Sequence, residues 1–469
     1  MKFDESAYLD SEEDLELIEN FIREMDEGRG VLASYDEDTL IFLFDHFISE
    51  DNHLRCEQIL QIAELQHPSS TDMMDCQARL QASKGNLKEA FDIINNALSL
   101  DENNVDLLLT KGKLLLNMNK NAEADAIFQQ LNDPEDPFLY GTLVDIGVAY
   151  RNMNHEDSAI YYLTQAAQLE NNKGNNEEAL YELGLTYEHI DDWENAEKCF
   201  EKVLDFNPYS KQTWRALGYL HYFSGNYKKS AEAFDYAYTI DPQDTSCIWL
   251  KANSLFSDMN FKEAIPLYEE YSDLTGETAE CCNSIAECYM SLEEYEQARE
   301  MLERALRLEP DNPNTKYCLS ELAMFMRDAD EAEKWCDQLL DQDPTMSEYH
   351  RMKATILFLK EQHEEGIKFL EKALELNPNN KQALLSFATE YFERGEYEKA
   401  LIHLQKAEQI DDKMENLYLL FAMVSYAMDD LISFRTYIPK IQDWEEKAKA
   451  FFLNIFPEAK EDLSIQDLF

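Results

Sequence analysis

The sequence predicts an all-α chain, a solenoid of about twelve helix pairs repeating every 34 residues, and three observations carry that prediction. Residue types recur in phase: Trp214, Leu217, Gly218, Phe234, Ala237 and Pro242 repeat, one period earlier, as Leu180, Leu183, Gly184, Phe200, Val203 and Pro208. The prolines at 208, 242, 310, 344 and 378 are all separated by multiples of the same period. Within each period, apolar residues fall at helical spacing in two short segments, neither of which can bury its stripe alone. Stacked neighbours supply the missing cover, so the repeats share one continuous core.

Each element follows in order. Residues 1–36 form an acidic leading segment: a disordered start, then a capping helix that opens at Ser11-Glu12-Glu13-Asp14, carries Leu15, Ile18, Ile22 and Met25 on one stripe and ends at Gly28. Residues 37–448 hold twelve copies, beginning near Glu37, Thr71, Val105, Tyr140, Glu177, Lys211, Thr245, Ala279, Pro313, Ser347, Lys381 and Glu415. In each copy the two helices cross closely and need residues without bulk. The first helix supplies Gly112, Gly147, Gly184, Gly218, Ala252, Ala286, Ala354 and Ala388, and the second supplies Ala90, Ala124, Ala159, Ala196, Ala264, Ala298, Ala332 and Ala400. The turn between them falls at Gly85, Asn119, Asn154, Asp191, Gly225 and Gly395, which tolerate a left-handed backbone. Prolines then stop the second helix.

The first and last copies depart from the pattern, with Phe44 and Phe434 where small residues are expected, as capping copies do. Register slips near Pro134-Glu135-Asp136-Pro137 and in the polar loop at 170–176, so a hinge is expected at 170–177. Residues 449–469 complete the chain: the stretch from Trp444 to Phe456 reads as a solvating helix stopped at Pro457, and Glu461 to Phe469 as a packed or frayed tail.

This pattern of small and aromatic residues with a closing proline resembles the tetratricopeptide repeat, over about residues 37–448. The resemblance implies a right-handed superhelix whose first helices line a concave groove, where partners bind as extended peptides or short helices. Carried over copy by copy, the groove phases of the early repeats hold Asp38, Asp45, Asp72, Asp75, Arg79, Lys113, Asn117, Arg151 and Asn152. From the fifth copy they turn aromatic, and the expected binding residues are Tyr181, Arg215, Tyr219, Tyr222, Trp249, Asn253, Phe256, Tyr317, Arg351 and Phe358, with Phe392 and Tyr426 further on. Tyr219 and Tyr222 are expected to flank Trp249. Phe223, Phe325 and Phe392 are expected to pack between copies. No three successive copies supply the lysine and asparagine set by which some family members clamp the carboxylate tail of heat-shock chaperones, and the catalytic domain of the sugar-transferring members is missing.

Charge narrows the partner. A net charge of -54 argues against nucleic acid, which needs basic patches, and against an anionic membrane leaflet. Most of that charge reads as a solvated outer face spread along an extended array. The nine cysteines are odd in number and fall at small or core phases, which is packing rather than a disulfide framework and suits a cytoplasmic protein. Met1 to Ser6 shows no secretory signal, and no stretch is apolar and long enough to span a bilayer.

Nothing catalytic stands out. Gly28-Arg29-Gly30 lacks the third glycine of a phosphate loop, and neither His155-Glu156 nor His363-Glu364 is followed by the second histidine of a zinc protease. Cys281 and Cys282 point roughly 100° apart on one helix, so no metal site is expected from them and Cys288. The expectation is therefore a cytoplasmic, non-enzymatic scaffold that binds a protein segment in its groove and needs no cofactor, metal or small-molecule substrate. The alternatives are an acidic chaperone that sequesters basic clients and, more weakly, a regulatory subunit of a separate enzyme.

Overall fold

The computed structural model describes residues 12–27, 34–134, 136–169, 176–414, 416–441 and 448–460. The described residues form helices and turns, with no strand among them. A helix Glu12–Asp26 precedes twelve helix pairs, from Glu37–Ser49 with His53–Gln66 to Leu417–Ala427 with Leu431–Tyr437. The first helices begin at Glu37, Thr71, Val105, Leu139, Glu177, Lys211, Ser246, Ala279, Pro313, Ser347, Lys381 and Leu417, each within two residues of the position that phase counting predicts. The chain divides into two compact units, Met1–Gln243 and Asp244–Phe469, each with six of the pairs.

The crossing of the two helices in a pair explains the small residues. In the first unit a Cβ added to Gly112 would lie 2.2 Å from the Phe128 ring, and one added to Gly184 or Gly218 would lie 2.5 Å from Phe200 or Phe234. A ring from the second helix therefore occupies the space where a side chain would stand. Serines fill the same role where the sequence pattern lapses. The Ser230 hydroxyl donates to the Gly218 carbonyl at 2.8 Å, and in the second unit the Ser320 hydroxyl donates to the Ala332 carbonyl at 2.9 Å.

The turns are more uniform than their sequences. One residue per pair is left-handed: Asp51, Gly85, Asn119, Asn154, Asp191 and Gly225 in the first unit, and Met259, Glu293, Arg327, Glu361, Gly395 and Asp429 in the second. Glycine, asparagine and aspartate signal such a turn, whereas Met259, Glu293, Arg327 and Glu361 give no local signal and are held there by the packing of the helices on either side. Seven of the twelve first helices open on side-chain caps. Asp36, Ser70, Asn104, Ser210, Thr278, Asn312 and Asn380 each accept a hydrogen bond from a backbone N–H of the first turn.

Both ends are closed by rings. The leading helix seats Ile18 and Phe21, with Phe21 against Phe47 and Tyr35 at 5.8 Å each. Leu15, expected on the buried stripe, is 48% exposed, because the helix turns its bulkiest apolar residue, Phe21, into the core. Phe44 is fully buried at the phase where a small residue is expected. At the other end Phe434 is buried and meets Phe452 of the helix Lys449–Ile455 at 5.3 Å, with Tyr426 and Phe456 completing the cluster. The last repeat is thus degenerate because a large ring there anchors the helix that follows. Ser11 of the capping sequence, the acidic start, Gly28, the hinge loop at 170–175, Glu135, Trp444 and the tail at 461–469 lie outside the described residues.

Candidate functional site

The first helix of each pair buries most of its surface and leaves one stripe half-exposed, and the expected binding residues fall into two groups along it. Tyr181, Arg215, Tyr219, Trp249, Asn253, Tyr317 and Arg351 sit in the helix's first two turns and a half, whereas Tyr222, Phe256 and Phe358 sit at its end.

The second group clamps the inter-helix turn. Each ring meets the ring five residues on: Tyr222 meets Tyr227 at 5.5 Å, Phe256 meets Phe261 at 5.3 Å and Phe358 meets His363 at 6.1 Å. Phe358 is further committed to packing, since a Cβ on Gly366 would lie 2.3 Å from its ring. Gly366 stands where other copies carry alanine; its glycine is the trace in the sequence of where the phenylalanine goes. Phe392 repeats the clamp against Tyr397 at 5.8 Å, and Tyr426 packs against Phe434 beneath the C-terminal helix. Of the rings expected to pack between copies, Phe325 does so, stacked on Tyr295 of the preceding copy at 6.2 Å. Phe223 and Phe325 each lie one residue past the clamp position and stay 65% and 58% exposed.

The first group rests on the second helix of its own pair. In the first unit, Tyr181 lies 5.8 Å from Phe200 and Tyr219 lies edge-on to Phe234 at 5.3 Å, the same rings that fill the glycine crossings. In the second unit, Trp249 lies on Tyr268 at 5.0 Å and Tyr271 at 5.1 Å, and the Tyr268 hydroxyl donates to Asn253 Oδ1 at 2.6 Å. Tyr268, at a phase where most other copies have leucine or phenylalanine, is a supporting residue that sequence reasoning missed. Farther along, the Arg351 guanidinium donates to the Tyr317 hydroxyl at 3.3 Å and pairs with Glu348.

Ion pairs run from copy to copy and claim the cations of these stripes. In the first unit Arg79 pairs with Asp45 at 2.7 Å, Lys113 with Asp145 at 2.8 Å and Arg151 with Glu182 at 2.6 Å. Carboxylates on the same stripes are left desolvated. Burial pushes Asp75 up to about 6, against the Thr110 hydrogen bond and the nearby Arg79, and pushes Glu188 up to about 7. In the second unit burial likewise raises Glu287 and Glu321. Burial raises the Tyr181 hydroxyl to about 12, helped by Glu182 and Glu188 and opposed by Arg151 and Arg215. The nine cysteines are buried and free, and burial pushes Cys282 up to about 12.

Comparison with known proteins decides the family. Models described as tetratricopeptide repeat match residues 177–210 and 289–356. The chain belongs to the tetratricopeptide repeat family. A model described as anaphase-promoting complex, cyclosome, subunit 3 matches residues 225–305 and 325–407 of this tetratricopeptide repeat chain. A curated relative, the BBSome complex member BBS4 of Bos taurus, is 23% identical over 280 residues, which cover 59% of this chain and 52% of that protein. The match thus spans about half the length of the relative. Similar solved structures include yeast Tom70, with 18% identity, 90% of this chain and 96% of that one covered and a TM-score of 0.48. The APC/C hetero-tetramer Cut9-Hcn1 is another, with 13% identity, 90% and 98% covered and a TM-score of 0.39. Among the described residues, no helix is long and apolar enough to cross a membrane.

Proposed function

We propose that this tetratricopeptide repeat protein is a non-enzymatic cytoplasmic adaptor that receives a segment of a protein partner, peptide or helix, on the half-exposed stripes of its first helices. The observation that carries this reading is the support beneath the rings. Tyr181, Tyr219 and Trp249 each lie on an aromatic residue of the paired helix, so little side-chain entropy is lost when a partner covers them. Rings held in this way, with arginine nearby, are the side chains that most often dominate an interface. The bovine relative is a complex member and one matching model describes a complex subunit, which favours a place in a multi-protein assembly for this chain as well.

The test is affinity capture from native cytosol with the intact chain and with two variants, Tyr181→Ala/Tyr219→Ala and Trp249→Ala/Tyr317→Ala. Loss of a specific partner in either variant, with helical circular dichroism retained, supports the reading. Capture unchanged in both sinks it. The acidic-chaperone reading draws on the net charge of -54 and on the internal pairing of the stripe cations. Ionic strength separates the two, because clients held by charge alone are released as salt rises while a partner seated on rings stays bound.

A further inference from the structure

In the second unit, three neighbouring first helices, Ala279–Ser291, Pro313–Phe325 and Ser347–Leu359, leave an uncovered face with a definite chemistry. On the middle helix, Tyr317, Glu321, Met324 and Phe325 follow at i, i+4, i+7 and i+8, one stripe of rings and thioether interrupted by a carboxylate. The other residues from Thr315 to Ala323 are buried, so this stripe is what the helix shows to solvent. Phe325 is 58% exposed.

Charge on this face is one-sided. Glu287 on the preceding helix lies near enough to Glu321 on the middle one to raise its proton affinity, and both are half-buried. The contact made by Glu287 is a hydrogen bond from the Cys318 thiol at 3.4 Å, and the Tyr317 hydroxyl, four residues before Glu321, donates to Glu348 at 3.4 Å. Arg351, the cation of the stripe, is held by Glu348 and by that same hydroxyl. Lys316 is buried beneath and pairs with Asp311, and Lys353 pairs with Glu333 and Asp337. Glu287 and Glu321 are thus partly stripped of water beside exposed apolar surface, with no ion pair of their own among the described residues.

We infer that this face takes a partner segment in which lysine or arginine alternates with apolar side chains, the cation seated between Glu287 and Glu321 and the apolar groups on Tyr317, Met324 and Phe325. The inference rests on the adaptor reading and narrows it. A cation placed there recovers the electrostatic energy that desolvation costs the two carboxylates, and the apolar neighbours cover Phe325. An acidic or carboxylate-bearing segment meets the opposite outcome, since Arg351, Lys316 and Lys353 are already paired and Glu287 and Glu321 repel it.

The experiment uses the full chain and a pair of labelled short peptides of leucine, serine and arginine, the twin carrying neutral citrulline at every arginine, with affinity read by fluorescence anisotropy at physiological salt. The wild-type chain is expected to prefer the arginine peptide about tenfold, a preference lost in Glu287→Gln/Glu321→Gln and retained in the outer-surface control Glu303→Gln/Glu371→Gln. In Glu321→Lys the preference should move to a third twin carrying glutamate. A preference that survives Glu287→Gln/Glu321→Gln overturns the inference, because net charge rather than this face then reads the peptide. Equal binding of the twins by the wild-type chain overturns it too, and leaves the adaptor reading intact if Trp249→Ala/Tyr317→Ala weakens both. No binding of either twin, together with cytosolic capture that ignores the ring variants, removes both readings.

Discussion

A glycine at the crossing and the ring that fills its place are one device written in two residues. Gly112, Gly184 and Gly218 face Phe128, Phe200 and Phe234, while Ala286, Ala354 and Ala388 stand sixteen residues before Leu302, Leu370 and Leu404. Volume is traded across most crossings, although Gly147 faces Leu163 and Ala252 stands sixteen residues before Tyr268. Gly218→Leu should therefore destabilise by about 1–3 kcal/mol through overpacking, read as a lower urea midpoint. Gly218→Ala alone should cost less, and most of its cost should be recovered by adding Phe234→Leu. Failure of that rescue would mean that the glycine serves something other than the ring.

Titration at single residues sends opposite messages in the two units. His403 stacks on Phe387 at 4.5 Å with its Nδ1 unpartnered, and burial, then Lys406, hold its pKa down at about 4 against an ordinary 6.5. The unfolded chain takes up this proton near 6.5 and the folded one only near 4, so the contribution is intact above 6.5 and drains as pH falls toward 4. His403→Phe should remove up to about 3 kcal/mol of that acid sensitivity, measured by urea unfolding at stepped pH. Glu188 runs the other way. Its pKa rises from 4.5 to about 7, so its stabilising share is full below 4.5 and lost as pH climbs through 7. Glu188→Gln should accordingly raise the unfolding midpoint at pH 8 and change little at pH 4.

At the scale of the element, every pair turns through one left-handed residue whatever its identity. Met259, Arg327 and Glu361 hold φ near 60° without the side chains that ease it. Replacing each by glycine should stabilise by a few tenths to about 1 kcal/mol, the relief of backbone strain less the added freedom of the unfolded chain. A lower melting temperature in all three variants would mean that their side chains do more than occupy the turn.

The same scale shows what was legible. Helix number, order and start followed from phase because each rests on nearest-neighbour packing, which repeats. Which stripe residue is spent on support and which is offered outward did not follow, because Tyr222 and Phe223 differ by one position and by 100° of helix rotation. Phe358 looked like Tyr317 in phase-blind terms, yet Gly366 across the turn claims it. Tyr268 carries no signal of its own; it matters because Trp249 lies above it and Asn253 accepts its hydrogen bond. The C-terminal cluster of Phe434 and Phe452 was hidden for the opposite reason, since a departure from a repeat does not announce its partner.

For the whole molecule, two units with six pairs each and contacts between adjacent copies imply that cooperativity is local. A chain lacking residues 1–176 should remain soluble and helical by circular dichroism, since the copy that starts at the helix Glu177–His189 keeps the core it shares with its successor, although Ala179, Leu183 and Cys199 lose the one they share with Leu143 and Leu163. Absence of helical signal would show that the array folds as one block.

The ion pairs and hydrogen bonds between copies give the array something that shape alone does not. Arg79 meets a carboxylate 34 positions back, Lys113 one 32 positions ahead, and Arg151 one 31 ahead, while Arg299 grips Glu331 across 32 and Arg351 touches Tyr317 across 34. These junctions use different side chains, and Arg79 reaches back where Lys113, Arg151 and Arg299 reach ahead. Copies that share one backbone plan are therefore not interchangeable parts: moving the copy that holds Arg79 would strand Asp45 without its cation. A uniform consensus repeat can be lengthened or shortened freely. This chain is lettered at its joints, and its order of copies is as much a part of its sequence identity as any surface that it offers to a partner.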